Sequence, residues 1–146
     1  MNIPDTKFIK FIKKHHVLTL ATSVDNRAWC ANCFYAFSEE EAMFVFTSDR
    51  ETKHVSDSLK NKHVAGSVVL ETSVVGKIQG LQFTGIMYEP EGELIKRANS
   101  FYMKRFPFAA LMDTHLWVLE LDYMKLTDNR LGFGKKVIWK KEEGKV

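Results

Sequence analysis

The stretch Val17-Leu18-Thr19-Leu20-Ala21-Thr22-Ser23-Val24, the pair Asp25-Asn26, and the run from Ala28 to Phe37 decide the fold. Alternation with a period of two predicts a strand on each side of the pair. Asp and Asn side chains suit the tight turn between them. Ser38 with Glu39 to Glu41 reads as a second, acidic turn, and Ala42 to Thr47 as a third strand. Three adjacent strands with short connections make an antiparallel meander.

Outward from this core, Pro4 to His15 predicts a short amphipathic helix. Phe8, Ile9, Phe11 and Ile12 fall on one side, with Lys7, Lys10, Lys13 and Lys14 interleaved. A helix is predicted from Ser48 to about Asn61, opened by a capping box of Ser48 and Glu51. Strands follow at Val64 to Leu70 and Lys77 to Tyr88. Glu91 to Phe106 has helical spacing and is stopped by Pro107. Leu116 to Leu126 and Lys136 to Lys140 alternate again. About seven strands and three helices favour an antiparallel barrel with peripheral helices over a doubly wound parallel sheet.

The 146 residues carry no repeat, linker or composition break, so one domain spans 1–146. A hydrophobic share of 45% with eleven Phe and three Trp can fill a core without disulfides. The net charge of +3 permits anionic ligands without arguing for nucleic acid. No apolar run has membrane-spanning length, and the lysine-rich N-terminal segment is unlike a secretory signal. The expectation is a cytoplasmic protein with neither membrane nor nucleic acid as partner. The basic helix reads as a lid on the core rather than a membrane anchor.

Cys30-Ala31-Asn32-Cys33 has the spacing of a redox pair but sits inside a strand, where residues three apart face opposite sides. The expectation is two structural cysteines and no metal site, since two further ligands are lacking. Gly132-Phe133-Gly134-Lys135-Lys136 lacks the spacing of a phosphate loop and precedes a strand, so it reads as a hairpin. No side chain is identified as catalytic.

Phe46-Thr47-Ser48-Asp49-Arg50-Glu51-Thr52-Lys53-His54 carries more chemistry. A buried strand ends in hydroxyl residues and enters a helix bearing Arg50 and Lys53. Strand-to-helix amides, hydroxyls and long cations are the elements of a phosphate site, although a capped surface helix has the same residues. In Ile78-Gln79-Gly80-Leu81-Gln82-Phe83-Thr84-Gly85, two glutamines and two glycines point either to close approach by a planar group or backbone, or to a bulged barrel strand.

These two strings, in this order, resemble the flavin-phosphate segment and the flavin-bordering strand of the pyridoxamine 5′-phosphate oxidase-like split barrels. In those proteins a strand ending in Thr is followed six residues on by a phosphate-binding lysine, as Thr47 is by Lys53. Trp29-Cys30-Ala31-Asn32 with Phe34-Tyr35, Arg105-Phe106-Pro107, and Lys125 to Asn129 through Leu131 to Lys136 with Ile138-Trp139 are similar to the YhbP-type branch of that superfamily.

The resemblance implies a mainly β fold with α-helices: a six- to seven-stranded split β-barrel with about three peripheral helices. It also implies a homodimer with FMN at the subunit interface and an oxidoreductase type of function on an unassigned small-molecule substrate. By carry-over Lys53 pairs with the flavin phosphate, aided by Thr52 and Arg50. Thr47 and Ser48 lie beside the ribityl chain, Asn32 runs along the ring, and Gln79, with Gly80, reaches its edge. The chain has Ala31-Asn32 where the oxidases have a second-strand arginine, Thr52 where they have a phosphate arginine, and no C-terminal substrate-phosphate arginine motif. The pyridoxamine phosphate reaction is therefore not implied. Haem or F420, which sister branches bind, and a non-catalytic split-barrel binding protein are the alternatives.

Overall fold

The computed structural model describes residues 2–111 and 115–141. Helix α1 (Thr6–Lys14) leads into β1 (Val17–Val24), β2 (Arg27–Ser38) and β3 (Met43–Thr47). Helix α2 (Lys53–Lys60) is followed by β4 (His63–Val69) and β5 (Gln79–Tyr88), then α3 (Glu93–Arg105), β6 (Leu116–Asp128) and β7 (Lys136–Lys140). Every sequence-derived helix and strand is present, Val17–Val24 and Lys136–Lys140 with the expected ends and the others with shifted ones. Pro4 precedes α1 instead of opening it, because the Asp5 side chain takes the cap and accepts from Lys7 N at 2.9 Å.

Asp25 and Asn26 have φ of 52° and 63°, as a two-residue primed turn requires, and Val24 pairs directly with Arg27. The sheet is antiparallel in the order β3-β2-β1-β4-β5-β6-β7, and β3 also pairs with β6. That extra pairing closes six strands into a barrel and leaves β7 as an extension beside β6. β6 divides its edge: Leu116 to Glu120 face β3, and Tyr123 to Thr127 face β7. The result is a split β-barrel with, among the described residues, three α-helices outside it.

The interior is packed with large side chains. Leu18, Leu20, Tyr35, Phe44, Phe46, Phe83 and Trp117 are fully buried, and Phe8 and Ile12 of α1 lid one end. The Phe44 ring lies 4.9 Å from both Tyr35 and Phe83. Tyr35 donates to Ile12 O at 2.5 Å, which ties the lid helix to the barrel wall. A smaller core forms where α3 covers the outward row Ala36, Val45 and Val118 with Ala98 and Tyr102. Arg105, at the end of α3, donates to Tyr35 O, Lys13 O and His15 O and so fixes α3 to the start of the meander.

The glycines of β5 divide into two cases. A Cβ at Gly85 would collide with Glu120 O and the Leu119 side chain, and the register shifts between Thr84 and Gly85. This is the bulged strand and the close backbone approach in one place. At Gly80 the nearest atom to an added Cβ is Val68 O at 4.0 Å, so Gly80 faces open space and the chain's own backbone makes no close approach there.

Candidate functional site

The β3–α2 junction gathers most of the predicted phosphate residues, but not as a capping box. Ser48 N donates to His115 O at 3.0 Å, and Trp117 Nε1 donates to Ser48 O at 2.9 Å. Both bonds hold Ser48 in the extended line of β3, so it cannot cap. The expected helix start at Ser48 is thus moved to Lys53, with Thr52 in the cap position. Thr52 Oγ1 donates to Asp49 O at 2.7 Å, and no side chain caps α2. The opening turn of α2 therefore keeps the unpaired amides and positive end that attract an anion.

Around that turn the side chains form a connected cluster. Ser48 Oγ shares a hydrogen bond with His54 Nε2 at 2.8 Å and lies 3.9 Å from Cys33 Sγ. Thr52 Oγ1 is 3.4 Å from the same His54 nitrogen. Burial lowers the His54 pKa, only partly offset by the Asp57 charge, so the ring is neutral at neutral pH. A hydroxyl against a neutral imidazole has the form of a nucleophilic dyad. Among the described residues, however, no side chain orients His54 from its other nitrogen, which a triad would need.

Lys53 extends from the first position of α2 across the Trp29 ring, 5.6 Å from its centroid. Its Nζ lies 3.2 and 3.3 Å from the oxygens of Asp57, one turn on. Burial alone would raise the Asp57 pKa. The Thr22 hydrogen bond, then the Lys53 hydrogen bond and charge and the Lys60 charge, outweigh it and hold the carboxyl below its ordinary value. Arg50 points elsewhere: it pairs with Glu89 and lies over Trp117. Thr47 Oγ1 is engaged with the Tyr102 hydroxyl at 3.2 Å. Ser48 and Thr52 therefore meet at His54, while Lys53, beside them in sequence, is paired with Asp57, and Arg50 and Thr47 are likewise committed to neighbours.

The remaining predicted residues lie on other faces. Asn32 is exposed on the outer face of β2 and accepts from Thr19 Oγ1 at 2.8 Å. The register carries that row on through Ser67 to Gln82 and Lys125. Gln79 has the parity of Leu81 and Phe83 and turns inward, buried, where Arg130 Nη2 donates to its Oε1 at 3.1 Å. The glutamine of β5 that shares the outer face with Asn32 is Gln82. Thr19, Ser67, Gln82 and His54 are thus site candidates that sequence reasoning missed. The period-two pattern of β5 was the available signal for Gln82.

Cys30 is exposed and Cys33 buried, both free, as opposite strand faces require. Burial raises the Cys33 pKa, with a smaller opposing effect from the Ser48 hydrogen bond. Among the described residues no group of three or more His, Cys, Asp or Glu could hold a metal. No helix among them is long and apolar enough to cross a membrane.

No protein-family model matches the chain. The fold is similar to that of a heme binding protein from Mycobacterium smegmatis, with a TM-score of 0.74 at 16% identity over 88% of this chain and 54% of that one. HutZ, a heme storage protein from Vibrio cholerae, gives 0.66 at 16% identity over 84% and 92%. An FAD-binding protein from Mesorhizobium loti gives 0.67 at 13% identity over 86% and 93%. At these identities the likeness establishes the split-barrel fold alone. Sequence relatives go further. The UPF0306 protein plu4501 of Photorhabdus laumondii is 39% identical over 132 residues, 90% of this chain and 92% of that protein. YhbP of Escherichia coli, also a UPF0306 protein, is 37% identical over 139 residues, 95% of each chain. With such identity along nearly its whole length, the chain belongs to the UPF0306 family.

Proposed function

We propose that this protein is a flavoprotein of oxidoreductase type that holds FMN by its phosphate at the β3–α2 junction. The observation that carries the reading is the uncapped start of α2, with Ser48, Thr52 and neutral His54 joined beside it and Lys53 at its first position, paired with Asp57. Amides, two hydroxyls and a cation are the donor set that a phosphate dianion takes. When bound, the flavin supplies hydride or electron transfer at its ring.

The polar row Asn32, Thr19, Ser67 and Gln82 offers hydrogen bonds for the ring on the outer face, and open space at Gly80 leaves room beside it. A second copy of the chain would supply the other wall of the cleft. Exposed Val17 and Phe34, which pair across β1 and β2, support that arrangement. The FAD-binding neighbour supports a flavin, and the heme-binding neighbours keep a haem reading in view.

Visible absorption of the purified protein, before and after incubation with FMN and desalting, tests the proposal. Oxidised-flavin bands that survive desalting support it and make reduction by NAD(P)H the next assay. A Soret band would replace FMN by haem. A protein that retains neither would be a binding module acting without either cofactor.

A further inference from the structure

A cavity lies beneath α1, the helix that lids the interior. It measures about 310 Å³ and is lined by Lys7, Lys10 and Lys14, by Phe11, Leu126 and Leu131, and by Gln79, Asp128 and Arg130. The three lysines, spaced three and four residues apart, project from one face of α1. Their neighbour Lys13 points away and pairs with Glu39. Among the described residues Lys7, Lys10 and Lys14 have no carboxylate partner within ion-pair distance. The one acid in the wall is already taken: Arg130 donates to Asp128 through Nε at 3.0 Å and Nη2 at 2.9 Å. Among the described residues the cavity wall therefore carries an excess of positive charge, with Asp128 felt by Lys7 as well as by Arg130.

Gln79 supplies an independent indication. It is 7% exposed and lines the cavity, and its Oε1 accepts from Arg130 Nη2 at 3.1 Å. That bond fixes which end of the amide is oxygen and leaves Nε2 as the free end. Among the described residues Nε2 meets no acceptor. That end is reached by solvent rather than sealed in the core, so it can donate to water or to an acceptor on a ligand in the cavity. Phe11, Leu126 and Leu131 form an apolar wall beside these polar groups, so the cavity suits a ligand with an anionic end and a flat apolar body.

We infer that this cavity binds a small organic phosphate ester, its phosphate held by Lys7, Lys10 and Lys14 and an acceptor on its body facing the Gln79 amide. The site shares no residue with the Lys53 cluster, so it stands whether or not FMN binds there. It also assigns Gln79 to this cavity rather than to the flavin.

Titration of the full chain with 1-naphthyl phosphate, followed by calorimetry, tests the site against 1-naphthol and inorganic phosphate as the separated halves of the probe. Saturable binding is expected for the ester, weaker binding for either half, and a loss of affinity with added salt. The double variant Lys10→Gln/Lys14→Gln, whose positions are exposed, should weaken the ester about tenfold or more. Gln79→Leu, with near-UV circular dichroism as a check on folding, should weaken it about fivefold. Three results would overturn the site: no saturable binding to roughly 1 mM, 1-naphthol binding as tightly as the ester, or unchanged affinity in the lysine double variant. Binding that is lost in Lys53→Ala but kept in that double variant would place the phosphate at the β3–α2 junction and equally refute the assignment.

Discussion

Lys53 and Asp57 form an ion pair across one turn of α2, with Nζ at 3.2 and 3.3 Å from the two carboxylate oxygens and Thr22 Oγ1 donating to the same group at 3.0 Å. The pair anchors the candidate phosphate lysine to the barrel wall, because Thr22 belongs to β1. It also makes the anchor sensitive to acid. Asp57 has a lowered folded pKa, so its stabilising contribution is present above its ordinary value of about 3.9 and is lost as pH falls through the lower, folded value. Lys53→Met removes one hydrogen-bonding partner of Asp57 together with its charge. The acid limb of stability should then move to higher pH, as urea midpoints from about pH 2 to pH 7 would show. Coincident acid limbs for the two proteins would disprove the coupling.

Lys53→Ala should weaken FMN binding by about 1.5–3 kcal/mol, the range for hydrogen bonds to charged groups. Flavin fluorescence quenching measures it. Unchanged affinity would remove Lys53 from the phosphate site.

A phosphate dianion beside His54 should raise the pKa of a ring that burial holds low in the free protein. FMN binding then takes up a proton between the free and bound values, and affinity rises as pH falls through that window. His54→Gln should flatten the dependence; a profile that stays as steep would assign the proton elsewhere.

Gly85→Ala and Gly80→Ala, five residues apart on β5, should behave oppositely. At Gly85 the added methyl meets the Glu120 backbone, which cannot rotate away, and a loss of about 1–3 kcal/mol is expected. At Gly80 there is space, and stability should stay within about 0.5 kcal/mol. Thermal denaturation separates them. If the outer face carries a ring or a second copy close to Gly80, Gly80→Ala should still weaken that binding.

The thiols should differ in rate. An aromatic disulfide reagent should label exposed Cys30 quickly and Cys33 slowly, since Cys33 is buried with a raised pKa. Two fast thiols would contradict the strand orientation. Cys30→Ser with Cys33→Ser should leave any flavin reduction intact.

Light scattering at micromolar concentration should give twice the chain mass of 16.9 kDa, and Phe34→Asp should return it to monomer. Monomer mass for the unaltered chain would reject the two-copy cleft.

The meander was legible because its signals are local: Asp25-Asn26 sits between alternating runs, and both residues adopt the positive φ that the turn needs. The start of α2 was not, although Ser48 and Glu51 have capping-box spacing. What decides it is His115 and Trp117, distant in sequence, which bind the Ser48 backbone and keep it extended. His54 was missed for the same reason, since its partner Ser48 is placed by the sheet. Gln79 is a different case. Its inward direction follows from the parity it shares with Leu81 and Phe83, so the pattern contained the answer and the resemblance pointed away from it. The sequence shows α1 as a basic helix lidding the core; only the fold brings Gln79 and Arg130 beneath its lysines.

The pairing of β3 with β6 also governs when the molecule can assemble. Thr47 waits for Leu116 and Met43 for Glu120, while β3 meets its other neighbour, β2, across a short turn. A ribosome releases the meander, α2 and the β4–β5 pair long before β6 emerges. Until then these segments can form only an open sheet whose inner face exposes Phe44, Phe46 and Phe83. Barrel closure is therefore a late, long-range step with a high loop-closure cost, and folding should be slow for a chain of this size. The nascent chain is most prone to aggregate in the interval before Leu116 to Glu120 reach β3.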